Sequence, residues 1–271
     1  MSLIKYLCPR AKRGEMEENM KRKIQIRCGS YSDALSAQNG GASEILLSNG
    51  LYLGGMTPSI GTLLKVKENT NLEVICCVRP RHAGFCYNDD EFEIMMLDAE
   101  VLLDNGADGI AFGFLDEECD IDIVHTRKMV DLIHSYHKKA FFNQAIDCVY
   151  DIDKIMCILI TMGVEGIYTS GQQKNALKGK EMIHYLQDTY GEGIEIVAVE
   201  GINVDNLTKY MDDTGIFIYQ TACLDWDIDP TTVKADGLFD YHDGEFEKVN
   251  WELVEAYVDE VEDDLYDFEI V

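Results

Sequence analysis

Two arginines and a histidine stand together at Arg79-Pro80-Arg81-His82, directly after the apolar run Val74-Ile75-Cys76-Cys77-Val78. A guanidinium offers a planar fork of donors that matches a carboxylate or phosphate, so Arg79 and Arg81 point to recognition of an anion. The chain carries 23 Lys and Arg against 50 Asp and Glu, a net charge of −27, and two cations fixed around a proline are an unusual concentration in it. They are expected to supply the only positive field at their end of the fold. Thr169-Ser170-Gly171-Gln172 adds hydroxyl and amide donors in a glycine turn. Asp116 and Asp147, with His82, are the groups able to do general acid or base work. Arg79, Arg81, Asp116, Asp147, Thr169, Ser170 and Gln172 therefore form the expected site for a small anionic or sugar-like ligand. The alternative is structural pairing of Arg81 with Asp116 or Asp147.

Nine cysteines and eleven methionines supply soft thiolate and thioether donors for a soft metal ion. Cys76 and Cys77, adjacent on a strand, point to opposite faces and cannot chelate one ion together. Met95 and Met96 fit core packing, and His134 and His137, without an acidic or thiol partner nearby in sequence, read as surface residues. Cys28 and Cys86, at the ends of neighbouring predicted strands, are the thiol pair best placed to hold a metal, the alternative being two unligated buried thiols. The odd count and the absence of any CxxC pair favour reduced cysteines over a disulfide frame.

These groups need strands to carry them. Short apolar runs at 24–28, 44–47, 72–78, 109–112, 140–142, 166–168, 194–199 and 216–219 alternate with helical patterns. Ser30 and Ser59 are placed as helix caps, and Phe92, Met95, Met96, Ala99, Leu102 and Leu103 recur at helical spacing. Strands apolar on both faces belong to parallel sheets, whose ligands sit beyond the carboxyl ends. Eight such units predict an α/β fold, a single closed parallel (β/α)₈ TIM-like barrel, with Arg79, Asn143, Thr169 and Glu200 on one rim. The helix after the sixth strand is expected to begin near Ala176, and a long loop to Glu247 is expected before an acidic C-terminal helix. Residues 1–23 read as a basic N-terminal extension and 24–271 as the barrel.

A sequence pI near 4.4 argues against binding to nucleic acid, which requires a basic face. No apolar run approaches the roughly 20 residues that span a bilayer, and the N-terminus lacks a secretory apolar segment, so a cytoplasmic protein without membrane partners is expected. The basic beginning and the acidic end, where nine carboxylates and no Lys or Arg follow Lys248, could attract each other; the alternative is two solvated ends.

The segments SAQNGGA, GGMTPS, RPRHAGFCYNDDEFEIMMLDAE, LLDNGADGIAFGFLD, AID and TSGQQKNALKG, in that order, resemble the CutC family, named for copper homeostasis, from about Ile24 through Trp226. The resemblance implies a TIM-like barrel, a cytosolic location, homodimers or larger homo-oligomers and a link to copper, but no enzymatic activity. Where that family usually has a glutamate and a cysteine on its first strand, this chain has Gln25 and Arg27. On the second it has Leu46 and Ser48 in place of another such pair. A histidine and an arginine expected on the fifth strand are Asn143 and Gln144, and Glu200 interrupts a glycine turn after the seventh. The implied function is a cytosolic barrel associated with copper homeostasis. It would bind copper or a small anion at its mouth without a conventional catalytic site. The alternative is an enzyme acting there on a small phosphorylated or carboxylated metabolite.

Overall fold

The computed structural model describes residues 21–234 and 244–268. Eight short strands close into a parallel barrel: β1 Lys23–Cys28, β2 Glu44–Leu47, β3 Glu73–Cys77, β4 Gly109–Phe112, β5 Lys139–Phe142, β6 Gly166–Thr169, β7 Glu195–Val199 and β8 Ile218–Thr221. β8 returns to β1 in parallel register, pairing Gln25 with Gln220, so the sheet has no open edge. The expected closed barrel is the observed fold. β4 and β6 are buried at every residue, which is why their sequences show no polar alternation.

Polar caps set where the helices begin. Ser30 precedes α1 Tyr31–Asn39, Ser59 precedes α2 Ile60–Asn69, and Asn88 with Glu91 forms a capping box on α3 Asp89–Asp104. α4 Ile123–Ser135, α5 Ile152–Met162, α6 Lys180–Tyr190 and α7 Val204–Thr214 follow. α8 is the short Pro230–Lys234, and α9 Trp251–Phe268 takes the place of an eighth barrel helix, burying Val254, Tyr257 and Val261. α9 seats so closely on α1 that a Cβ on Gly40 would lie 2.5 Å from Val254 Cβ.

Period two divides the side chains between two cores. Ile75, Phe141, Tyr168 and Val197 face into the barrel, while Cys76 joins the layer between strands and helices. A polar network crosses the lumen beneath the mouth: Gln25 donates to Glu44 at 2.6 Å and to Tyr168 Oη at 3.0 Å, and Gln220 donates to Gln25 at 2.5 Å.

Two expectations are corrected. The long loop before the C-terminal helix contains an antiparallel hairpin, β9 Leu224–Ile228 with β10 Glu245–Val249. The sixth helix starts at Lys180, not near Ala176, because Ala176 N–H is taken by Glu200 O at 3.0 Å and Gly179 N–H by Asn175 O at 3.1 Å in a preceding turn. The segment after β5 winds into a 3₁₀ helix, Gln144–Cys148. Most of the basic extension lies outside the described residues.

Candidate functional site

Beyond the carboxyl ends of the strands the lumen widens into a cavity of about 470 Å³, lined by Arg79, Asn143, Ser170 and Gln220 among others. This is the end of a (β/α)₈ barrel where ligands are bound.

Arg79 leaves β3 and turns inward. Its backbone is fixed by Thr57, whose Oγ1 accepts from Arg79 N–H at 3.0 Å and whose N–H donates to Arg79 O at 3.0 Å. The guanidinium donates from Nη1 to Leu53 O and Gly55 O, both at 3.3 Å, and from Nη2 to Ala83 O, with the Phe85 ring 5.1 Å below it. Only 7% of the residue is exposed, and among the described residues no carboxylate pairs with it. Its Nε–H has no acceptor. Tyr87 lies beside it, the phenol raised by burial against the opposing pull of Arg79, but Tyr87 Oη also lacks a partner of good geometry.

Ser48 is the second unsatisfied group. It is 1% exposed, lines the same cavity, and its Oγ makes no hydrogen bond. The hydroxyl lies under Gly55, where even a Cβ would come to 3.2 Å. Buried polar atoms are nearly always bonded, and Arg79 and Ser48, two residues that line this cavity, each carry a buried polar atom with no partner among the described residues.

Arg27 reaches the cavity from β1. Its Nη1 donates to Glu200 Oε1 at 2.9 Å and its Nη2 to Leu51 O at 3.2 Å. Carbonyls of one turn, Leu51 to Gly55, thus hold both guanidinia. Lys174 is a third cation at the mouth, and Asp147 is the carboxylate that lines it. The positive field therefore does not come from Arg79 and Arg81 alone, as the sequence suggested.

Asp147 is fully engaged. It accepts from Thr169 Oγ1 at 2.5 Å, Ser170 N–H at 2.8 Å, Ser170 Oγ at 3.0 Å and Gln172 N–H at 2.8 Å. The carboxylate organises the Thr169–Gln172 turn. Ser170 lines the cavity, while Thr169 is buried behind it and Gln172 Nε2 turns back to Val149 O at 2.6 Å.

Two members of the expected site lie elsewhere. Arg81 turns away from the cavity and pairs with Glu91, Nε to Oε1 at 2.5 Å, so its structural partner is neither Asp116 nor Asp147. Arg81 also donates to Cys86 O at 2.9 Å. Asp116 caps its own turn, accepting from Glu118 N–H at 3.0 Å and Asp120 N–H at 2.8 Å. The structure does not bring the candidate thiols together. Cys28 is completely buried beside Asp33 and Cys223, its thiol raised well above the usual range by that burial, whereas Cys86 is exposed near Glu117 and Asp116. His134 bonds Glu165 at 3.1 Å, a partner distant in sequence.

Residues 22–222 match the CutC family. The chain belongs to that family. A Treponema denticola protein named as a CutC family member is 40% identical over 217 residues, covering 80% of this chain and 87% of its own. The Mus musculus copper homeostasis protein cutC homolog is 34% identical over 192 residues, covering 71% and 70%. A CutC crystal structure from Streptococcus agalactiae superposes with a TM-score of 0.70 at 22% identity, covering 74% of this chain and 98% of its own, a likeness of fold.

CutC membership raises the question of copper, and the donors present answer it. The positions where the resemblance leads one to expect soft ligands hold Arg27 and Ser48, and both line the cavity. Cys77 and Cys148 are the thiols there. Burial pushes Cys77 up to about 11 even with Arg79 and Arg27 pulling the other way, so it is a thiol at neutral pH. Two guanidinia beside a protonated thiol do not suit a cation, and no cluster of three metal-binding side chains occurs among the described residues. The mouth does not fit Cu(I).

Sequence reasoning did not name Arg27 and Ser48 as cavity-lining groups although a signal existed. Strand alternation turns Gln25 and Arg27 to one face and Leu46 and Ser48 to one face, and these are the positions at which the chain departs from its family.

Proposed function

We propose that this CutC-family barrel binds a small monocarboxylate, such as a sugar acid, at its mouth and does so without turnover. The observation that carries the reading is Arg79: a buried guanidinium on a residue that lines the cavity, oriented by three backbone carbonyls and with no carboxylate paired to it among the described residues. A bound carboxylate supplies the missing counter-charge. Ser48 Oγ and the amides of Asn143 and Gln220 suit the hydroxyls of a polyol chain. Turnover would need a paired acid and base, and the lining carboxylate, Asp147, has both oxygens occupied.

The test is a thermal-shift and titration series with acetate, gluconate and glycerol on the native protein and on Arg79→Lys. Carboxylates are expected to stabilise the native form and glycerol is not. A charge-assisted hydrogen bond contributes roughly 1.5–3 kcal/mol, so loss of the guanidinium fork should weaken carboxylate binding by about tenfold or more. Absence of any carboxylate response in the native protein defeats the reading.

A further inference from the structure

Glu200 stands at the end of β7 with φ +67, in the left-handed region that side chains other than glycine seldom occupy. Its place is fixed on both sides. Glu200 O accepts from Ala176 N–H at 3.0 Å, and the next residue, Gly201, has φ +84 and no room for a side chain, since a Cβ there would lie 2.6 Å from Asn175 Cβ. The turn cannot relax by exchanging the two residues. It sets the Glu200 carboxylate on Arg27 Nη1 at 2.9 Å, across the mouth from β7 to β1.

We infer that Glu200 is a specificity-determining residue that restricts the mouth to monoanions by occupying Arg27. The inference rests on the anion-binding reading above and deepens it. Arg27 lines the cavity with its side chain 14% exposed, and Leu51 O holds its other end at 3.2 Å, so the guanidinium remains aimed at the mouth whether or not Glu200 is charged. With Arg27 neutralised, Arg79 is the buried guanidinium left for a ligand, Lys174 being solvent-exposed at the rim, and one desolvated cation matches one negative charge. A sulfate or phosphate dianion needs both guanidinia. To reach Arg27 it must displace Glu200 and then sit beside the displaced carboxylate. Arg27 and Arg79 line the same cavity, and carbonyls of one turn, Leu51 to Gly55, hold both guanidinia.

The experiment titrates the full chain with acetate and with sulfate at constant ionic strength, comparing native protein, Glu200→Gln and the double variant Glu200→Gln with Arg27→Gln. Glu200→Gln is expected to gain about tenfold or more in sulfate affinity with less than about a threefold change for acetate, and the added Arg27→Gln to remove the gain. Should Glu200→Gln fold poorly, Glu200→Gly carries the same test, because glycine takes φ +67 without strain. If acetate binds the native protein but sulfate gains nothing in either Glu200 variant, the inference is overturned and the monocarboxylate reading stands. If neither anion binds any form, both fall together.

Discussion

A Cβ added to Gly54 would stand 2.9 Å from Arg79 Nη1. The bare backbone at Gly54 is what lets the guanidinium lie against the turn whose carbonyls, at Leu53 and Gly55, receive it. The residue also has φ +88, which a side chain would oppose. Gly54→Ala should therefore cost about 1–2 kcal/mol in stability from the backbone alone and push Arg79 from its seat. Urea denaturation reads the first effect. Loss of the carboxylate-induced thermal shift reads the second, and a retained shift would mean that the guanidinium need not be held by this turn.

Ser48→Ala separates binding from folding more cleanly than any arginine variant. Ser48 Oγ is buried and bonds to nothing in the chain, so removing it breaks no internal hydrogen bond and relieves an unsatisfied polar atom. Stability is expected to stay level or rise by up to about 1 kcal/mol, while affinity for gluconate falls several-fold. Equal gluconate affinity in both forms would show that the buried hydroxyl does not reach the ligand.

The barrel was legible because each strand is a short apolar run and most of its helices are preceded by a polar cap, signals that are local in sequence; α6, which follows Gly179, has none. Arg79 was legible for the same reason, as a cation at a strand's end. Arg81 was not, because its direction depends on Glu91 ten residues later in a capping box that serves α3. Asp147 and the Thr169–Gln172 turn were correctly grouped, but nothing local says that they bond to each other instead of facing a ligand. The Arg27–Glu200 pair joins the first strand to the seventh, and only closure of the sheet brings those residues together. The β9–β10 hairpin was missed although LDWDI alternates apolar and charged residues as a strand does, because both strands are exposed over much of their length and EFEKV breaks that alternation at Glu247 and Lys248.

At the amino-terminal end of the barrel, Glu195 offers a prediction with a definite sign. Burial raises its pKa against the pull of Lys23, and Oε2 has no hydrogen-bond partner. A group whose folded pKa is raised contributes stability that is complete below its unfolded pKa, about 4.3 for glutamate, and is lost as pH rises through the folded value. At pH 7 the charged carboxylate is therefore a net cost. Glu195→Gln is expected to stabilise the protein at pH 7, by roughly 1 kcal/mol, and to give no advantage near pH 4. Denaturation midpoints at the two pH values check it; equal effects at both would rule out titration of Glu195 as the cause.

The last prediction concerns copper. Cu(I) needs thiolate, and the cavity's buried thiol, Cys77, is held near 11 by desolvation, so forming its thiolate at pH 7 costs roughly 5 kcal/mol before any metal is bound. Arg27 and Arg79 then repel the incoming cation. Cys28, fully buried and likewise raised well above the usual range, offers no route of its own. Titrating the reduced protein with Cu(I) against a competing chelator is expected to leave the metal with the chelator, and Cys77→Ser and Cys28→Ser to behave as the native form does. Tight stoichiometric uptake abolished by Cys77→Ser would show that the mouth accepts the metal despite its guanidinia, and uptake abolished by Cys28→Ser would show that the β1 end opens to expose its thiol.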